Sequence, residues 1–471
     1  MIGTRDGAMR RAVSCIDDGR YLGELATWIA LPTESQKPER LPECHRFLTE
    51  LVRPRLCTMG FATDIFDNPV QGAGPLLVAR RMEEPSKPTL LTYGHGDVVT
   101  AFREEWRDGL DPWTLTEAGD RFYGRGSVDN KGQLLLTMLA QQAVAEERGG
   151  RLGFNSIYLV ETSEERGSPG LQQFVRSHAD LLAADLLVWC DGPRVAEDRQ
   201  ELNLGARGSI AFDLVVDLGR TAGLHSGHWG GAMPDAGIIL AQAISTITTP
   251  KGRILVEGWL PAAVPAAVTE ATRALKVDPV PGLPPIDPDW GLAELCTLEK
   301  VLTTTSFIVL AYRTGNPDLP VNAVPGYAKA RCQIRHTVDV DRATLLPALR
   351  RHLDAHGFAE VRIEGGVRSD FEAWRTNPED PWVRWAAGSI AQSSGQQLNI
   401  LPNGAGSNPG GIFADALGLP AMKVPHSYKG CGMHGPNEHA LIAHCRQGFA
   451  VMAGLYWDLG EAGTPAPKPA R

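Results

Sequence analysis

The sequence predicts an α/β fold in which helices cover both faces of a mostly parallel sheet and a smaller α+β domain interrupts the chain. Strand-like apolar runs alternate with helical patterns up to residue 204 and again after residue 366, which indicates a parallel sheet. Between them the order is β, α, β, β, α, β, which is typical of a ferredoxin-like domain. We therefore expect a discontinuous first domain, residues 1–204 and 366–471, around an inserted domain, residues 205–365.

The elements of the first domain follow from hydrophobic periodicity. Its first part is predicted to contain helices 16–31, 41–58, 133–147 and 171–183 and strands 60–66, 75–81, 89–95, 155–162 and 185–190. Its second part is predicted to contain helices 380–393, 410–417 and 437–458 and strands 397–401 and 420–425. Short apolar strands between helices of this length predict a sheet that is buried on both faces.

The inserted domain is marked by a change of pattern near residue 205. Its predicted elements are strand 211–217, helix 234–248, strands 307–311 and 327–336, helix 341–356 and strand 359–363. Asp341 as N-cap and Gly357 as C-cap define the ends of the second helix. The segment 250–290 is rich in proline and is expected to be irregular.

The composition argues against two classes of partner. The chain has 471 residues, a formal net charge of -9 and a pI of about 5.8. No basic patch points to nucleic acid, and no Lys/Arg block points to an anionic membrane. Eight scattered cysteines without a CxxC pair are typical of reduced thiols. They therefore favour a cytoplasmic protein, and no apolar run approaches the roughly 20 residues that span a bilayer.

Potential metal ligands stand at the ends of apolar strands. His95 ends one predicted strand, Glu164 and Glu165 follow a second, and Asp191 follows a third. Ligands of α/β sheets bind beyond the carboxyl ends of the strands, so these side chains are expected at one edge. The glycine-rich turn that carries Asp129 can join them there.

Each of these residues also has a purely structural interpretation. An isolated Glu-Glu pair is usually a solvated acidic loop, Asp129 can cap a helix, and Asp191 can form a turn. His434, just before the last helix, can be a loop or capping histidine. The set as a whole favours chemistry, because a bridging carboxylate can join two metal ions about 4 Å apart.

The candidate metal ligands are two histidines and three carboxylates: His95, Asp129, Glu165, Asp191 and His434. With one carboxylate bridging, each metal receives one histidine and one further carboxylate. Such ligands suit zinc, with cobalt or manganese as alternatives. Asp97 can hold the His95 ring from behind. Glu164 is left over as a base for water, whose pKa zinc lowers to about 7.

Five motifs then carry a resemblance to a known family. They are Gly94-His95-Gly96-Asp97-Val98-Val99, the turn from Tyr123 to Gly132, Glu164-Glu165-Arg166-Gly167-Ser168, Asp191-Gly192, and His434-Gly435-Pro436-Asn437-Glu438. In these motifs the chain resembles the dinuclear zinc peptidases and deacylases, which include carnosine dipeptidases, succinyl-diaminopimelate desuccinylase, acetylornithine deacetylase, aminoacylases and carboxypeptidase G. The resemblance runs from about residue 20 to residue 460.

The resemblance implies a role for each residue of the site. The two ligand sets that it implies are His95, Asp129 and Asp191 for one metal and Asp129, Glu165 and His434 for the other. Asp97 would clamp the His95 ring. Glu164 would take a proton from water and later give it to the leaving amine. The peptide bond between Asp129 and Asn130 is expected to be cis.

The inserted domain resembles the lid of this family, which usually forms a homodimer. His225 matches a histidine that, in related dimers, reaches the partner's active site and stabilises the oxyanion; otherwise it is a surface loop residue. Asn322 and Arg335 resemble substrate-binding residues, although a salt bridge would also explain Arg335. Gly406 and Ser407 resemble the loop that contacts the carboxylate end of the substrate.

The function expected from this resemblance is metal-dependent hydrolysis of the amide bond of a small substrate with a free carboxylate, most simply a dipeptide. Two zinc ions per subunit would serve as cofactors. Aspartate at position 191 resembles the dipeptidases, whereas several related carboxypeptidases and desuccinylases have glutamate there. An N-acyl-amino-acid deacylase shares every catalytic residue and stays open. The remote alternative is a non-catalytic binding protein on the same fold.

Overall fold

The computed structural model describes residues 3–220, 223–279, 284–365 and 371–465. The predicted domain boundary at residue 366 lies outside these residues. Within them, no helix is long and apolar enough to cross a membrane. The strands and helices below are numbered in chain order.

An eight-stranded sheet carries the site. Its spatial order is β1 (Ala62–Phe66), β2 (Leu76–Arg81), β6 (Asn155–Glu161), β3 (Thr89–His95), β7 (Leu186–Trp189), β19 (Ala421–Lys423), β9 (Gln200–Asn203) and β18 (Leu398–Leu401). β6, β3, β7 and β19 run parallel, and so do β9 and β18, whereas β1, β2 and the β19–β9 contact are antiparallel. This mixed, mostly parallel sheet confirms the predicted α/β class.

Helices cover both faces of this sheet. Those of the larger core are α1 (Arg5–Asp17), α2 (Arg20–Ile29), α4 (Arg53–Thr58), α5 (Lys131–Glu147), α12 (Pro381–Ser394) and α14 (Ile442–Leu459). A π-helical stretch, Phe47–Val52, joins α3 (Leu41–Arg46) to α4 and also contributes to this core. The opposite face packs on α6 (Leu171–Ser177) and α13 (Gly410–Leu417). Alternate strand residues divide between the two cores: Leu186 and Val188 enter the first, Leu187 and Trp189 the second.

A separate four-stranded antiparallel sheet lies within residues 208–365. Its order is β13 (Ser306–Thr314), β15 (Tyr327–His336), β11 (Gly208–Asp217) and β16 (Arg362–Gly365). Helices α8 (Ala236–Ile247) and α11 (Arg342–Ala355) pack on it around a core of their own. This order is that of the expected ferredoxin-like arrangement, and the exact domain boundaries stay a prediction.

Short elements complete the chain. The helices are α7 (Ser226–Trp229), α9 (Ala266–Ala274) and α10 (Thr297–Leu302). The strands are β4 (Thr116–Ala118), β5 (Arg121–Tyr123), β8 (Pro193–Arg194), β10 (Gly205–Ala206), β12 (Leu224–His225), β14 (Ala323–Val324), β17 (Trp374–Arg375), β20 (Ser427–Tyr428) and β21 (His439–Leu441). The proline-rich segment 250–290 was expected to be irregular, yet it contains α9.

Three predicted helices differ from the structure. The helix expected over 16–31 is two helices, because Gly19 adopts a left-handed φ of 76° between α1 and α2. α1 escaped prediction because its buried residues are small (Ala8, Ala12 and Cys15). The helix expected over 171–183 ends at Ser177, and the one expected over 437–458 begins only at Ile442, after β21.

Candidate metal centre

The candidate ligands gather at the carboxyl edge of the eight-stranded sheet. His95 is the last residue of β3, and its register partner on the parallel strand β6 is Glu161. The turn that follows β6 carries Glu164 and Glu165, and Asp191 comes two residues after β7. Because these strands are parallel neighbours, their carboxyl ends open on the same side, as the sequence predicted.

Two groups of potential metal ligands share Asp129. In each group the ligand atoms lie within 4.8 Å of one another; the groups are His95, Asp129 and Asp191, and Asp129, Glu165 and His434. Asp129 Oδ1 lies 3.1 Å from His95 Nε2, and Asp129 Oδ2 lies 2.9 Å from His434 Nε2. The two oxygens of one carboxylate thus face the two histidines, which is the arrangement expected of a bridge between two metal ions.

Glu164 also lies close enough to the cluster to be a metal ligand. His95, Glu164 and Glu165 form a third group with the same geometric property. Glu164 and Glu165 stand side by side in one turn of 3₁₀-helix. Geometry alone therefore allows Glu164 to be a ligand or a base, and metal content and activity of variants can separate the two roles.

The charges of this cluster suit divalent cations. Burial raises the pKa of Glu165 and of Asp191 above the ordinary range, and the charge of Asp129 raises both further. Burial would raise the pKa of Asp129 as well, but the two imidazoles hold it below its usual value. Cations between these oxygens would offset the repulsion, because a bound ion is the largest local charge in such a site.

Two buried atoms of the cluster that lack hydrogen-bond partners also indicate a metal site. Among the described residues, His95 Nε2 and Glu165 Oε1 are buried and have no hydrogen-bond partner. His95 Nε2 is close to Asp129 Oδ1, but the contact lacks hydrogen-bond geometry. Buried polar atoms are normally paired, so two unpaired atoms in one cluster fit residues that coordinate a metal.

Asp97 organises more than the His95 ring. His95 Nδ1 lies 3.1 Å from the Asp97 carbonyl oxygen and 3.4 Å from the carboxylate. The carboxylate also accepts hydrogen bonds from the backbone amides of Glu164 and Glu165, at 3.2 and 3.1 Å, and from the Ser35 hydroxyl at 2.6 Å. Asp97 thus fixes the His95 ring mainly through its carbonyl oxygen and the acidic turn through its carboxylate.

Asn130 connects Asp129, the proposed bridging carboxylate, to Asp191. The Asp129–Asn130 peptide bond is cis, as the resemblance implied. The Asn130 side-chain amide donates to the Cys190 carbonyl at 2.8 Å and to Asp191 Oδ1 at 3.1 Å. The sequence did not predict this role for Asn130, because the contact joins a turn and a strand end about 60 residues apart.

A buried ion pair supports the loop that presents Asp129. Glu438 is fully buried and accepts from Arg125 Nη1 at 2.8 Å. The same carboxylate also accepts from the backbone amides of Gly126, Val128 and Asp129, at 3.0, 2.9 and 3.2 Å. Both partners stand inside motifs that the sequence singled out, but their pairing across 313 residues was not predictable.

We expect Glu438→Gln to lower the free energy of unfolding by about 3–5 kcal/mol, because it leaves the buried Arg125 charge without its partner. Chemical denaturation measures this loss. The control is Glu461→Gln, which breaks the Arg148–Glu461 pair at a half-exposed carboxylate and should cost below about 1 kcal/mol. Equal small losses in both variants would contradict the assigned importance of the buried pair.

Two of the predicted substrate-binding residues touch each other. Arg335 on β15 donates from Nη1 to the Ser407 hydroxyl at 3.1 Å, and that hydroxyl donates to the Arg207 carbonyl at 2.8 Å. Gly406 precedes Ser407 in an exposed loop. Within the described chain, Arg335 has no carboxylate partner, so the salt bridge considered as its alternative is not formed.

His225 and Asn322, the remaining predicted site residues, form a separate group on the smaller domain. β12 pairs with β14 so that His225 stands opposite Ala323, and the Ser226 amide donates to the Asn322 carbonyl at 2.9 Å. His225 is exposed, accepts from the Gly227 amide at 3.1 Å and stacks on His228. Across the described residues, none of its hydrogen bonds, ion pairs or ring contacts reaches the metal-ligand cluster.

Comparison with known proteins places these features in one family. A model of peptidase family M20/M25/M40 matches residues 91–458. The Beta-Ala-His dipeptidase of Rattus norvegicus is 24% identical and aligns over 97% of this chain and 96% of its own length. The Cys-Gly metallodipeptidase of Candida albicans is 29% identical and aligns over 94% and 95%.

A solved structure agrees with the fold. An M20 family metallo-carboxypeptidase from Sulfolobus solfataricus superposes with a TM-score of 0.79 at 24% identity, covering 93% of this chain and 99% of its own. At this identity the likeness speaks for the fold alone.

Proposed function

The chain belongs to peptidase family M20/M25/M40, and on that premise we propose that it hydrolyses dipeptides with a free carboxylate at a centre of two zinc ions. It is a metal-dependent hydrolase of this family, and its candidate ligands form two groups that share one carboxylate. The observation that carries the proposal is the position of Asp129, whose two oxygens face the two histidines.

The proposed zinc ions would be held by the two ligand groups around Asp129. When bound, they would polarise the substrate carbonyl and make water a stronger nucleophile near neutral pH. Asp97 would orient His95 and the turn of Glu165, and Asn130 would orient Asp191, because these contacts are hydrogen bonds in the structure. Residues that orient metal ligands in this way also support metal affinity.

Glu164 is proposed as the general base. Its side chain is half buried beside the cluster, and desolvation raises the pKa of its carboxyl group, with the charges of Asp191 and Asp129 adding to the effect. Asp97 holds the backbone of its turn in place. In the proposed reaction, the Glu164 carboxylate accepts a proton from the attacking water and then gives it to the nitrogen of the leaving amine.

Arg335 and Ser407 are proposed to bind the substrate carboxylate. The guanidinium is half buried, and burial lowers its pKa. Since no carboxylate of the described chain pairs with it, a substrate carboxylate can form the two parallel hydrogen bonds that a guanidinium favours. Gly406 and Asn322 are proposed as further contacts of the same substrate.

An N-acyl-amino-acid deacylase is the second candidate, because it needs the same catalytic residues. The relatives described as dipeptidases favour the first. The discriminating experiment compares hydrolysis of L-dipeptides, β-alanyl-histidine, and N-acetyl and N-succinyl amino acids by the zinc-loaded protein. Cleavage of dipeptides supports the proposal, whereas cleavage of acylated amino acids alone moves the protein to the deacylases.

A homodimer through the smaller domain is also part of the proposal. β13 is the edge strand of its sheet, and four of its large apolar residues are exposed: Ile308, Val309, Leu310 and Tyr312. A long, exposed apolar edge strand is a template for pairing with another chain.

All eight cysteines are free, which supports the prediction of a reducing, cytoplasmic location.

In such a dimer His225 is proposed to act on the partner's substrate. We expect His225→Ala to lower kcat roughly 10²–10³-fold, the typical loss for one oxyanion donor, and to leave metal content unchanged. Steady-state kinetics and metal analysis measure the two effects. Loss of the metals in this variant would contradict the oxyanion role.

Mixing two impaired variants decides whether His225 acts across the dimer. In a heterodimer of His225→Ala and Glu164→Ala subunits, one site keeps its own Glu164 and receives His225 from the other subunit. Action in the partner site therefore predicts recovery of activity on mixing. No recovery in confirmed heterodimers would place His225 in its own subunit's site or remove it from the reaction.

A further inference from the structure

Lys423 occupies a position at the site that the assigned roles do not use. It is the last residue of β19, and its register partners are Trp189 on β7 and Asn203 on β9. Ala421 on the same strand packs in the core on the sheet face that α6 and α13 cover, and Met422 packs in the larger core on the opposite face. Because strand residues alternate, Lys423 shares the face of Ala421.

The same alternation places Lys423 on the face of the sheet from which two candidate metal ligands extend. Tyr93 and Trp189 also pack in the core beneath α6 and α13. His95 comes two residues after Tyr93 and Asp191 two residues after Trp189, so both extend from the same face. Moving across the sheet, β3, β7 and β19 are neighbours. Lys423 is level with Trp189, so it lies on the same face as His95 and Asp191, two residues before them along the strand direction.

The ammonium group lies close to the loop after Asp191. A methyl group built on Gly192 would stand 3.1 Å from Lys423 Nζ. On the other side, β9 leads to Gly205, whose carbonyl accepts from the Gly404 amide at 2.6 Å. In the sheet, β19 thus lies between β7, which leads to Asp191, and β9, which leads to Gly205 and its contact with Gly404.

Lys423 has no partner of its own within the described residues. No hydrogen bond or ion pair is formed by its ammonium group, and the side chain is half buried. At longer range its charge lowers the pKa of two carboxylates, Asp191 and Glu201. Asp191 is a proposed metal ligand, and Glu201 is buried and accepts from the Val195 amide at 2.8 Å.

A half-buried ammonium without a close anion lowers its free energy when an anionic ligand binds. Arg335 is already proposed to bind the terminal carboxylate of a dipeptide. We propose that Lys423 binds a second carboxylate, so that the enzyme prefers dipeptides with an aspartate or glutamate residue. This inference rests on the proposed dipeptidase function and names its substrate class.

The test compares acidic dipeptides with their amide counterparts, which have nearly the same shape. Zinc-loaded protein is assayed on Glu-Ala and Gln-Ala, on Ala-Glu and Ala-Gln, and on the corresponding Asp and Asn pairs. We expect kcat/KM to be higher for the acid in at least one pair, by roughly 10- to 100-fold, the range for a hydrogen bond to a charged group. The preferred pair also shows which residue of the dipeptide faces Lys423.

Lys423→Met then removes the charge and keeps the length of the side chain. We expect the acid-to-amide ratio of kcat/KM to fall close to one. The matched control is Lys429→Met, because Lys429 is exposed and, among the residues that the structure describes, donates only to the Asp278 carbonyl. The acid-to-amide ratio of this variant should stay as in the unchanged protein. A lysine that serves only to offset Asp191 would affect acid and amide alike, which would overturn the inference.

The role of Lys423 and the dipeptidase function can be contradicted by different results. Hydrolysis of acidic and amide dipeptides with equal efficiency overturns the role of Lys423 and leaves the dipeptidase function in place. Absence of hydrolysis of every dipeptide by protein with two bound zinc ions overturns the dipeptidase function, and the inference with it.

Discussion

Glu164→Ala is expected to lose activity by roughly 10²–10⁴-fold, the usual contribution of a general base, while both metal ions stay bound. The side chain is half buried beside the cluster, but the five proposed ligands do not include it. Kinetics on a dipeptide substrate and metal analysis of the same preparation measure both parts of the prediction.

Two neighbours in the same turn serve as comparisons. Glu165→Ala removes a proposed ligand and should lower metal content, whereas Arg166→Ala, whose guanidinium donates to the Gly72 carbonyl, should change neither quantity. Full activity of Glu164→Ala would refute its role as base. Loss of a metal ion from Glu164→Ala would make Glu164 a ligand, as the third ligand group allows.

Asp129→Asn is expected to weaken the binding of both metal ions by more than about 100-fold and to abolish activity at ordinary zinc concentrations. The carboxylate faces both histidines, so its charge would be shared by the two ions. Zinc-binding isotherms measured with chelator-buffered zinc give the two affinities.

Asp97→Asn provides the graded comparison for this variant. Asp97 orients His95 and the acidic turn without belonging to either proposed ligand set. Residues of this kind typically change metal affinity by about 10- to 100-fold. If Asp129→Asn weakened only one of the two ions, Asp129 would be a terminal ligand and not the bridge.

The sequence predicted the parts of the fold and site that local pattern determines. Apolar runs that stop at His95, Glu164 and Asp191 located three strand ends, and parallel strands place such ends on one edge. The structure brings these residues together with Asp129 and His434. The order of motifs was informative because each motif lies at the end of an element.

What the sequence could not predict depends on contacts between distant segments. The pairing of Glu438 with Arg125 and the several contacts of Asp97 join loops that have no local signal for each other. The position of Lys423 became visible only with the sheet order, because β19 enters the sheet beside β7. The start of α1 was missed because small buried residues give a weak hydrophobic pattern.

The most direct test of the two-metal account is a titration of zinc into chelator-stripped protein, with dipeptide hydrolysis followed at each step. The account predicts no hydrolysis without metal, two zinc ions bound per chain at saturation, and recovery of activity as both sites fill. Binding of a single ion at full activity, or hydrolysis that persists after the metal is removed, would contradict it.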